Sequence, residues 1–431
     1  MHPTDKPIGI GVLGYGTIGT AVIEYFLDKK PDGLKIKSVL IRDPAKPRTR
    51  SMPLTTSLDD IIHDDDIQIV VELLDGNKDD KAYNAIRQAL EQKKSVVTAN
   101  KAVMSKYLVD LITYADTQDV SIAFEASVCG SVPIIRTLNE FLRYDDITSI
   151  TGVVNGTCNF ILSEMMNGNS FDAALKVAQS RGYAESDPTL DLDGTDSLQK
   201  LAILGSLAFS REVPPTQLYQ CGLIDKAGTR LLDPADFYFA KREGYTIKLI
   251  GCVRREDDTI VGGVFPAFVP TSHTLSTVTG SFNGLVIDGD LIQSHCYIGP
   301  GAGGAPTASA VISDIFDVSA RIRGEFPLCY GIRERGLSLG NFEDSLSEGY
   351  VRSYSPNIPG GFAQKLGILS QLGVNVNSAI NVEGIVRPGT DADETPDFIQ
   401  IFPAKNRVMR KALDNFSDKG VHDPFFLRMV R

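Results

Sequence analysis

The sequence contains no tryptophan, five histidines and six cysteines in 431 residues. The cysteines stand at 129, 158, 221, 252, 296 and 329, so there is no CxxC pair and no zinc-type spacing. Isolated thiols fit a reducing compartment better than a disulfide scaffold. The histidines, at 2, 63, 273, 295 and 422, form no pair that suggests a metal cage or a Ser/His/Asp arrangement. Proton transfer, if there is any, must then use other groups. There is no apolar run of 18 residues and no basic-then-apolar opening segment, so neither a membrane span nor a signal peptide is expected and a cytoplasmic location is. Positive charge is in deficit as well: 43 Lys+Arg against 54 Asp+Glu leave a net −11. Such a chain has no global attraction to a polyanion, which argues against nucleic acid as a partner but leaves room for a local basic pocket holding a small phosphate.

What is present is an ordinary globular composition long enough for two to four domains. The first 130 residues alternate short, continuously apolar runs with helical patterns. Strands are expected over Ile8–Leu13, Lys35–Ile41, Ile67–Leu73, Ser95–Thr98 and Val120–Glu125. Helices are expected over Ile18–Lys30, Lys81–Gln92 and Val103–Ala115. Continuously apolar strands between helices indicate an α/β doubly wound parallel sheet. Beyond Pro133 the texture changes to an α+β region, with helices at Ile161–Met166 and Thr195–Phe209 and strands at Tyr245–Arg254, Ile260–Val269 and Ser294–Ile298. The expected division is a dinucleotide-type domain over 1–134 and a substrate and dimerisation domain over 135–304. A helix over 305–325 would return to the first domain, a linker would span 326–347, and a third unit would occupy 348–431. The tail reads strand (Tyr350–Tyr354), helix (Phe362–Leu372), strand (Val374–Asn381), polar loop (384–396), strand (Phe398–Phe402) and helix (Asn406–Phe416), a ferredoxin-like plan. The acidic run Asp59–Asp66 lacks calcium-loop spacing and reads as a solvated helix end.

The segment Gly14-Tyr15-Gly16-Thr17-Ile18-Gly19 directly follows the first strand and opens a helix. Gly14 would make the tight turn, Gly16 would admit a pyrophosphate, and Gly19 would let helix and sheet pack closely. After the second strand come Arg42 and Asp43, with Lys46 and Arg48 close behind. The cations favour NADP through its 2′-phosphate, whereas Asp43 would suit the free ribose of NAD. A second glycine cluster, Gly299 to Gly304, precedes the Pro306 helix. It is either a second approach to the cofactor, through Gly303, or an interdomain hinge.

Lys101 lies just beyond the short strand that ends in Thr98, where ligands bind in open α/β sheets; in isolation it would be a solvated loop charge. Asp196 and Lys200 are four residues apart and share a helix face. On a surface they would be a routine ion pair. In a cleft, the carboxylate would hold an ammonium able to exchange a proton with a substrate hydroxyl as hydride leaves the same carbon. Glu185 and Asp191 would suit the ammonium or hydroxyl of an amino-acid substrate.

Taken together, GYGTIG at 14–19, TANKA at 98–102, EASVCGSVPII at 125–135, NGTCNFIL at 155–162, GYAESDPTLDLDGTDSLQKLAIL at 182–204 and GPGAGGAPTASA at 299–310 resemble homoserine dehydrogenase, in the longer form with a C-terminal ACT domain. The resemblance implies NAD(P)-dependent interconversion of L-homoserine and L-aspartate 4-semialdehyde. It places catalytic roles on Lys101, Lys200 and Asp196, and substrate contacts on Glu185, Asp191, Tyr183 and the turn Asn155-Gly156-Thr157. It also implies a monovalent cation (Na+ or K+) held by backbone oxygens around Glu125, Val128 and Gly130. The chain departs from the family pattern at Cys129 and Ser131 and at Asp75. From about residue 348 the tail resembles an ACT domain, which implies L-threonine as effector near Gly360, Gly361, Asn375 and Asn377, or a purely dimerising role, within a homodimer or homotetramer. The other readings are a related dehydrogenase of another amino or hydroxy acid, and a non-catalytic sensor of dinucleotide and amino acid.

Overall fold

The computed structural model describes residues 6–48, 50–74, 79–232, 234–257, 259–325, 346–356, 360–381 and 394–428. Two compact units divide it, Met1–Cys329 and Tyr330–Arg431.

The first unit begins with β1 (Ile8–Leu13), α1 (Thr17–Lys29), β2 (Leu34–Leu40), β3 (Leu54–Thr55), α2 (Asp59–Ile62), β4 (Ile67–Glu72), α3 (Asp79–Glu91), β5 (Ser95–Thr98), α4 (Lys101–Thr117) and β6 (Ile122–Ala123). The strands form one sheet in the order β3-β2-β1-β4-β5-β6, and all neighbours pair in parallel. β1 and β5 are buried along their whole length, because helices cover both faces of the sheet. The chain reverses its winding between β1 and β4, which opens the crevice where such sheets bind ligands.

A short 3-10 turn (Glu125–Ser127), α5 (Ile134–Arg136) and a π-helical turn (Thr137–Phe141) lead into the second layer. This contains β7 (Ile147–Val153), α6 (Gly156–Met166), α7 (Phe171–Ser180), α8 (Thr189–Leu192), α9 (Thr195–Ala208), β8 (Tyr219–Gln220), α10 (Pro234–Arg242), β9 (Tyr245–Glu256), β10 (Thr259–Pro270), β11 (Phe282–Gly289) and β12 (Gln293–Pro300). Its mixed sheet runs β12-β11-β7-β9-β10-β8. On one face Ile247, Leu249 and Val253 share a core with Phe160 and Ile161 of α6 and Leu201 and Leu204 of α9. The last helix, α11 (Gly304–Ile322), packs on the first sheet: Val311 and Ile315 are fully buried with Ile10, Val12, Val22 and Val39. Each such burial contributes about 1.5–3 kcal/mol.

The second unit contains β13 (Leu346–Pro356), α12 (Gly361–Gln371), β14 (Val376–Asn381), β15 (Glu394–Lys405), α13 (Asn406–Asp418) and β16 (His422–Arg428). Its sheet order is β14-β15-β13-β16, with every pair antiparallel. Val351, Leu369, Ile399, Met409 and Phe416 fill its core. An ion pair, Lys365 with Asp397, is buried beside this core. Removing the lysine takes the counter-ion from a buried carboxylate, whereas removing both need not be costly. Lys365→Met is therefore expected to lower this unit's unfolding free energy by about 3–5 kcal/mol, and adding Asp397→Leu should recover most of that. Denaturant unfolding of the single and double variants decides it: equal losses would refute the argument.

Several expectations need correction. The strand expected over Val120–Glu125 shrinks to two residues, because Glu125 turns out of the sheet to cap the following helix. β7, α7, α8, α10 and β11 escape a hydrophobic-pattern reading: β7 carries three hydroxyl residues, β11 carries two glycines, and α7 has a mostly polar outer face. In the tail, β16 is a strand beyond the expected elements, β13 begins inside the expected linker, and β15 begins within the expected loop at Glu394. Asp75, most of that loop and most of the linker lie outside the described residues.

A lysine in the second layer gives a pH prediction. Lys248 on β9 is almost completely buried and donates to Asn159 Oδ1 at 3.0 Å and to the Val278 carbonyl. Burial pushes its ammonium down from 10.5 to about 8. The unfolded chain thus keeps this proton to higher pH than the folded one, so stability should rise as pH increases from about 8 to 10.5. Lys248→Met removes this contribution. The difference in stability between variant and parent should move in the variant's favour by on the order of 3 kcal/mol on going from the alkaline to the neutral side. Unfolding curves of both proteins across that range check the sign.

Candidate active site

At the end of β1, Gly14 has φ 115°, and a Cβ there would lie 2.5 Å from the Leu73 carbonyl that follows β4. A Cβ at Gly19 would lie 2.3 Å from the Gly14 carbonyl. Both positions are glycine because backbone packs on backbone. Gly16 differs: a Cβ there would meet nothing within 4 Å. It is exposed, and it precedes α1 without any side-chain cap on the helix's first N–H groups. Open space over uncapped donors fits an anionic pyrophosphate. Across the crevice, Gly303 (φ 122°) leads into α11, and a Cβ at Gly304 would lie 2.8 Å from Thr17 Cγ2. Folding thus brings the two glycine clusters together.

At the end of β2, Arg42 and Lys46 are exposed. Arg48 lies across the same loop, donating to the Lys46 carbonyl at 2.7 Å and the Asp43 carbonyl at 2.8 Å, with its guanidinium 5.5 Å from the Tyr15 ring centre. Asp43 Oδ1 accepts from the Ala45 N–H at 2.8 Å, so this carboxylate is engaged within its own turn.

The central cluster draws on four helix ends. Asn100 caps α4 by accepting from the Val103 N–H, which places Lys101 in the helix's first turn. A cation is disfavoured there by the helix dipole, so the lysine is not placed for the helix's benefit. Gly194, in the left-handed region, turns the chain into α9 and sets Asp196 in its first turn, where a carboxylate is favoured. Lys200 stands one turn further on. The Lys200 ammonium is 2.7 Å from Asp196 Oδ2 and the Lys101 ammonium is 3.2 Å from Oδ1. Lys200 also donates to the Val154 carbonyl at 2.8 Å. Asn155, capping α6, donates through Nδ2 to Asp196 Oδ2 at 2.9 Å and to Asp191 Oδ1 at 2.7 Å. Lys101, Lys200, Asp191, Asp196 and Asn155, which span about a hundred residues of sequence, therefore share one hydrogen-bonded cluster.

Its electrostatics follow from burial and charge. Burial opposes ionisation of Asp196, but Lys200, Lys101 and their hydrogen bonds outweigh it and hold the carboxyl well below the usual range. Burial would likewise depress Lys200, and Asp196 reverses the effect, leaving its ammonium above its ordinary value. Burial and the Asp196 charge push the Asp191 carboxyl up. Two neighbouring carboxyls are thus driven apart, a pattern typical of acid–base sites. The two lysines differ in access: the Lys101 side chain is 40% exposed and that of Lys200 11%.

Other expected residues have more local roles. A Cβ on Gly156 would lie 2.6 Å from the Ser281 carbonyl. Thr157 Oγ1 donates to the Tyr183 carbonyl at 2.5 Å, and the Tyr183 ring leans on Phe160. Glu185 is exposed, with its carbonyl accepting from Gln179. The Thr98 hydroxyl donates to Glu72 Oε2 at 2.6 Å and accepts from the Asn100 N–H. The Glu125 carboxylate accepts from the N–H groups of Ile135 (2.9 Å) and Arg136 (2.7 Å), so it caps α5. Cys129 (φ 55°) and Gly130 (φ 56°) make two successive left-handed residues beside it. Burial pushes the Cys129 thiol up to about 11, which makes it a poor nucleophile. In the second unit, Gly360 enters α12 in the left-handed region, and Asn375 and Asn377 are exposed.

Glu72 was missed. It is completely buried, and burial raises its carboxyl. It braces Thr98 and accepts from the Leu74 N–H at 2.8 Å, beneath the segment that carries Lys101. A lone glutamate directly after the apolar triplet Ile69–Val71 was the available signal, since buried carboxylates are rare without a purpose.

A parallel sheet with a glycine-lined anion crevice, facing a lysine–carboxylate cluster, defines a nicotinamide-dependent oxidoreductase. Residues 14–125 match the family "Homoserine dehydrogenase, NAD binding domain", and residues 133–316 match "Homoserine dehydrogenase". Homoserine dehydrogenase of Bacillus subtilis (strain 168) is 36% identical over 389 residues, covering 88% of both chains. That of Pseudomonas aeruginosa is 32% identical over 431 residues, covering 95% of this chain and 94% of its own. Among solved structures, a homoserine dehydrogenase from Thiobacillus denitrificans superposes with a TM-score of 0.70 at 30% identity, over 99% of this chain and 98% of the other. A hyperthermophilic archaeal homoserine dehydrogenase in complex with NADPH superposes with 0.62 at 27% identity, over 73% and 98%. The chain belongs to the homoserine dehydrogenase family.

Proposed function

We propose that this chain interconverts L-homoserine and L-aspartate 4-semialdehyde with NADP as the preferred cofactor. The observation that carries the reading is the placement of both lysines on the two oxygens of Asp196. When bound, the nicotinamide accepts or supplies the hydride. In the reducing direction the aldehyde oxygen gains negative charge as hydride arrives, and a nearby ammonium stabilises and protonates it. Lys101, the more accessible of the two, exchanges this proton. Lys200 stays charged and holds Asp196, so the local positive charge is in place before reaction. Asp191, Asn155, Thr157, Tyr183 and Glu185 form the substrate side, and the carboxylates receive the substrate's ammonium group. Gly14 to Gly19, Thr98 and Gly303 border the dinucleotide. Arg42 and Lys46 receive the 2′-phosphate, a reading supported by the engagement of Asp43 within its own turn.

A monovalent cation (Na+ or K+) would be held by the carbonyls of Glu125, Val128 and Gly130. The Glu125 carboxylate is committed to a helix end and the loop turns through two left-handed residues, which favours backbone ligands; the cation would order the loop. The β-α-β-β-α-β order of the second unit supports the ferredoxin-like ACT reading, with L-threonine bound near Gly360, Gly361, Asn375 and Asn377 of a homo-oligomer. A cytoplasmic location completes the reading; no helix among the described residues is long and apolar enough to cross a membrane.

The test is a steady-state assay of L-homoserine oxidation with NADP+ and with NAD+, each with and without L-threonine, followed by the absorbance of the reduced nicotinamide. Turnover with NADP+ in excess of NAD+ is expected, as is inhibition by threonine. No turnover with either cofactor would overturn the proposal.

A further inference from the structure

Asn283, the second residue of β11, has no place in the roles assigned above, yet it is completely buried beside the lysine–carboxylate cluster. Its Nδ2 donates to the Val154 carbonyl at 3.1 Å, and that same oxygen accepts from Lys200 at 2.8 Å. The peptide joining Val154 to Asn155 is therefore doubly committed. Its carbonyl holds Lys200, and the next side chain, Asn155, holds the Asp196 carboxylate bonded to Lys200. A tilt of this one peptide would displace both members of the ion pair. The Asn283 amide fixes that tilt by occupying the carbonyl's other lone pair.

The opposite side of the same amide meets the glycine cluster before α11. A Cβ at Gly301 would lie 2.1 to 2.3 Å from the Asn283 side-chain atoms, so the loop backbone rests directly on the amide. Three residues later Gly304 abuts Thr17 of the dinucleotide loop. Asn283 thus spans the distance from Lys200 to the loop beside the cofactor crevice. Its own position is anchored from behind. Asn159 Nδ2 donates to the carbonyls of Val278 and Phe282, each at 3.1 Å, and Lys248 donates to Asn159 Oδ1. The Cys129 thiol lies against the same amide.

We propose that Asn283 is a positioning residue, setting the Lys200–Asp196 pair in register with the dinucleotide-binding loops through the Val154 carbonyl on one side and Gly301 on the other. The proposal rests on the dehydrogenase reading for its kinetic consequence but not for its geometry. Asn283→Leu keeps the approximate shape and volume while removing the N–H donor without adding charge, and Asn283→Ala removes the whole group. Both are expected to lower kcat by about 10- to 100-fold, as misplacement of a reacting group does, with KM for NADP+ changed by less than about twofold. Crystal structures of the variants should show the contact between Lys200 and Asp196, 2.7 Å in the parent, lengthened or broken. If Asn283→Ala does not fold, Asn283→Leu alone decides. An Asn283→Leu enzyme with parental kcat overturns the proposal, as does an unchanged Lys200–Asp196 geometry in its crystal structure. A parent that does not oxidise L-homoserine would instead overturn the dehydrogenase reading, and the crystal structures would still decide the role of Asn283.

Discussion

Lys200→Met should lower kcat by about 100- to 10,000-fold, the range for loss of a positioned acid–base or charge-stabilising group. Methionine nearly matches lysine in length and is tolerated in buried surroundings, so the loss measures the ammonium and not the packing. Lys101 and Asn155 remain to hold Asp196, so the carboxylate is not abandoned. Affinity for the dinucleotide should change by less than about twofold, because Lys200 contributes mainly in the transition state. Steady-state kinetics together with a fluorescence titration of reduced cofactor separate these effects. A parallel fall in cofactor affinity would contradict the assigned role, and so would an unaltered kcat.

The second large effect is a contrast between two glycines that stand two positions apart in the sequence and are glycine for different reasons. Gly16→Ala should raise the dissociation constant for dinucleotide by about tenfold or more, equivalent to about 1.4 kcal/mol, while leaving the thermal midpoint unchanged. Its Cβ would meet no protein atom, only the space assigned to the pyrophosphate. Gly14→Ala should instead lower the thermal midpoint, because its Cβ would collide with the Leu73 carbonyl at a φ that side chains avoid. Thermal unfolding and cofactor titration of both variants provide the test. Normal cofactor affinity in Gly16→Ala would remove the pyrophosphate from that position.

The residues proposed to act on cofactor and substrate are legible because each lies in a local pattern with a physical cause. GxGxxG between strand and helix, a lysine beyond a strand end, and Asp and Lys four apart on one helix are readable from spacing alone. Glu125 was less legible: sequence marks it as the end of a strand, and only the fold shows its carboxylate turned back to cap α5. Glu72 and Asn283 were not legible as site residues. Their roles depend on Thr98 and Val154, partners 26 and 129 residues away, and no local period encodes such contacts. The overlooked strands β7, β11 and β16 fail for a related reason. β7 and β11 are rich in hydroxyl residues or glycine, and such strands are stabilised by cross-strand neighbours more than by their own composition.

By itself, the sequence determined the doubly wound start of the chain, the glycine turn and the identity of the ionisable groups, since apolar period, turn chemistry and charge are local properties. The tertiary structure decided which of those groups meet. It set Lys101 and Lys200 on opposite oxygens of one carboxylate, left the first accessible and the second enclosed, and drew the two glycine loops together. Those outcomes depend on how helices from distant segments pack, because burial and Coulomb energies vary with distances that only the folded chain fixes.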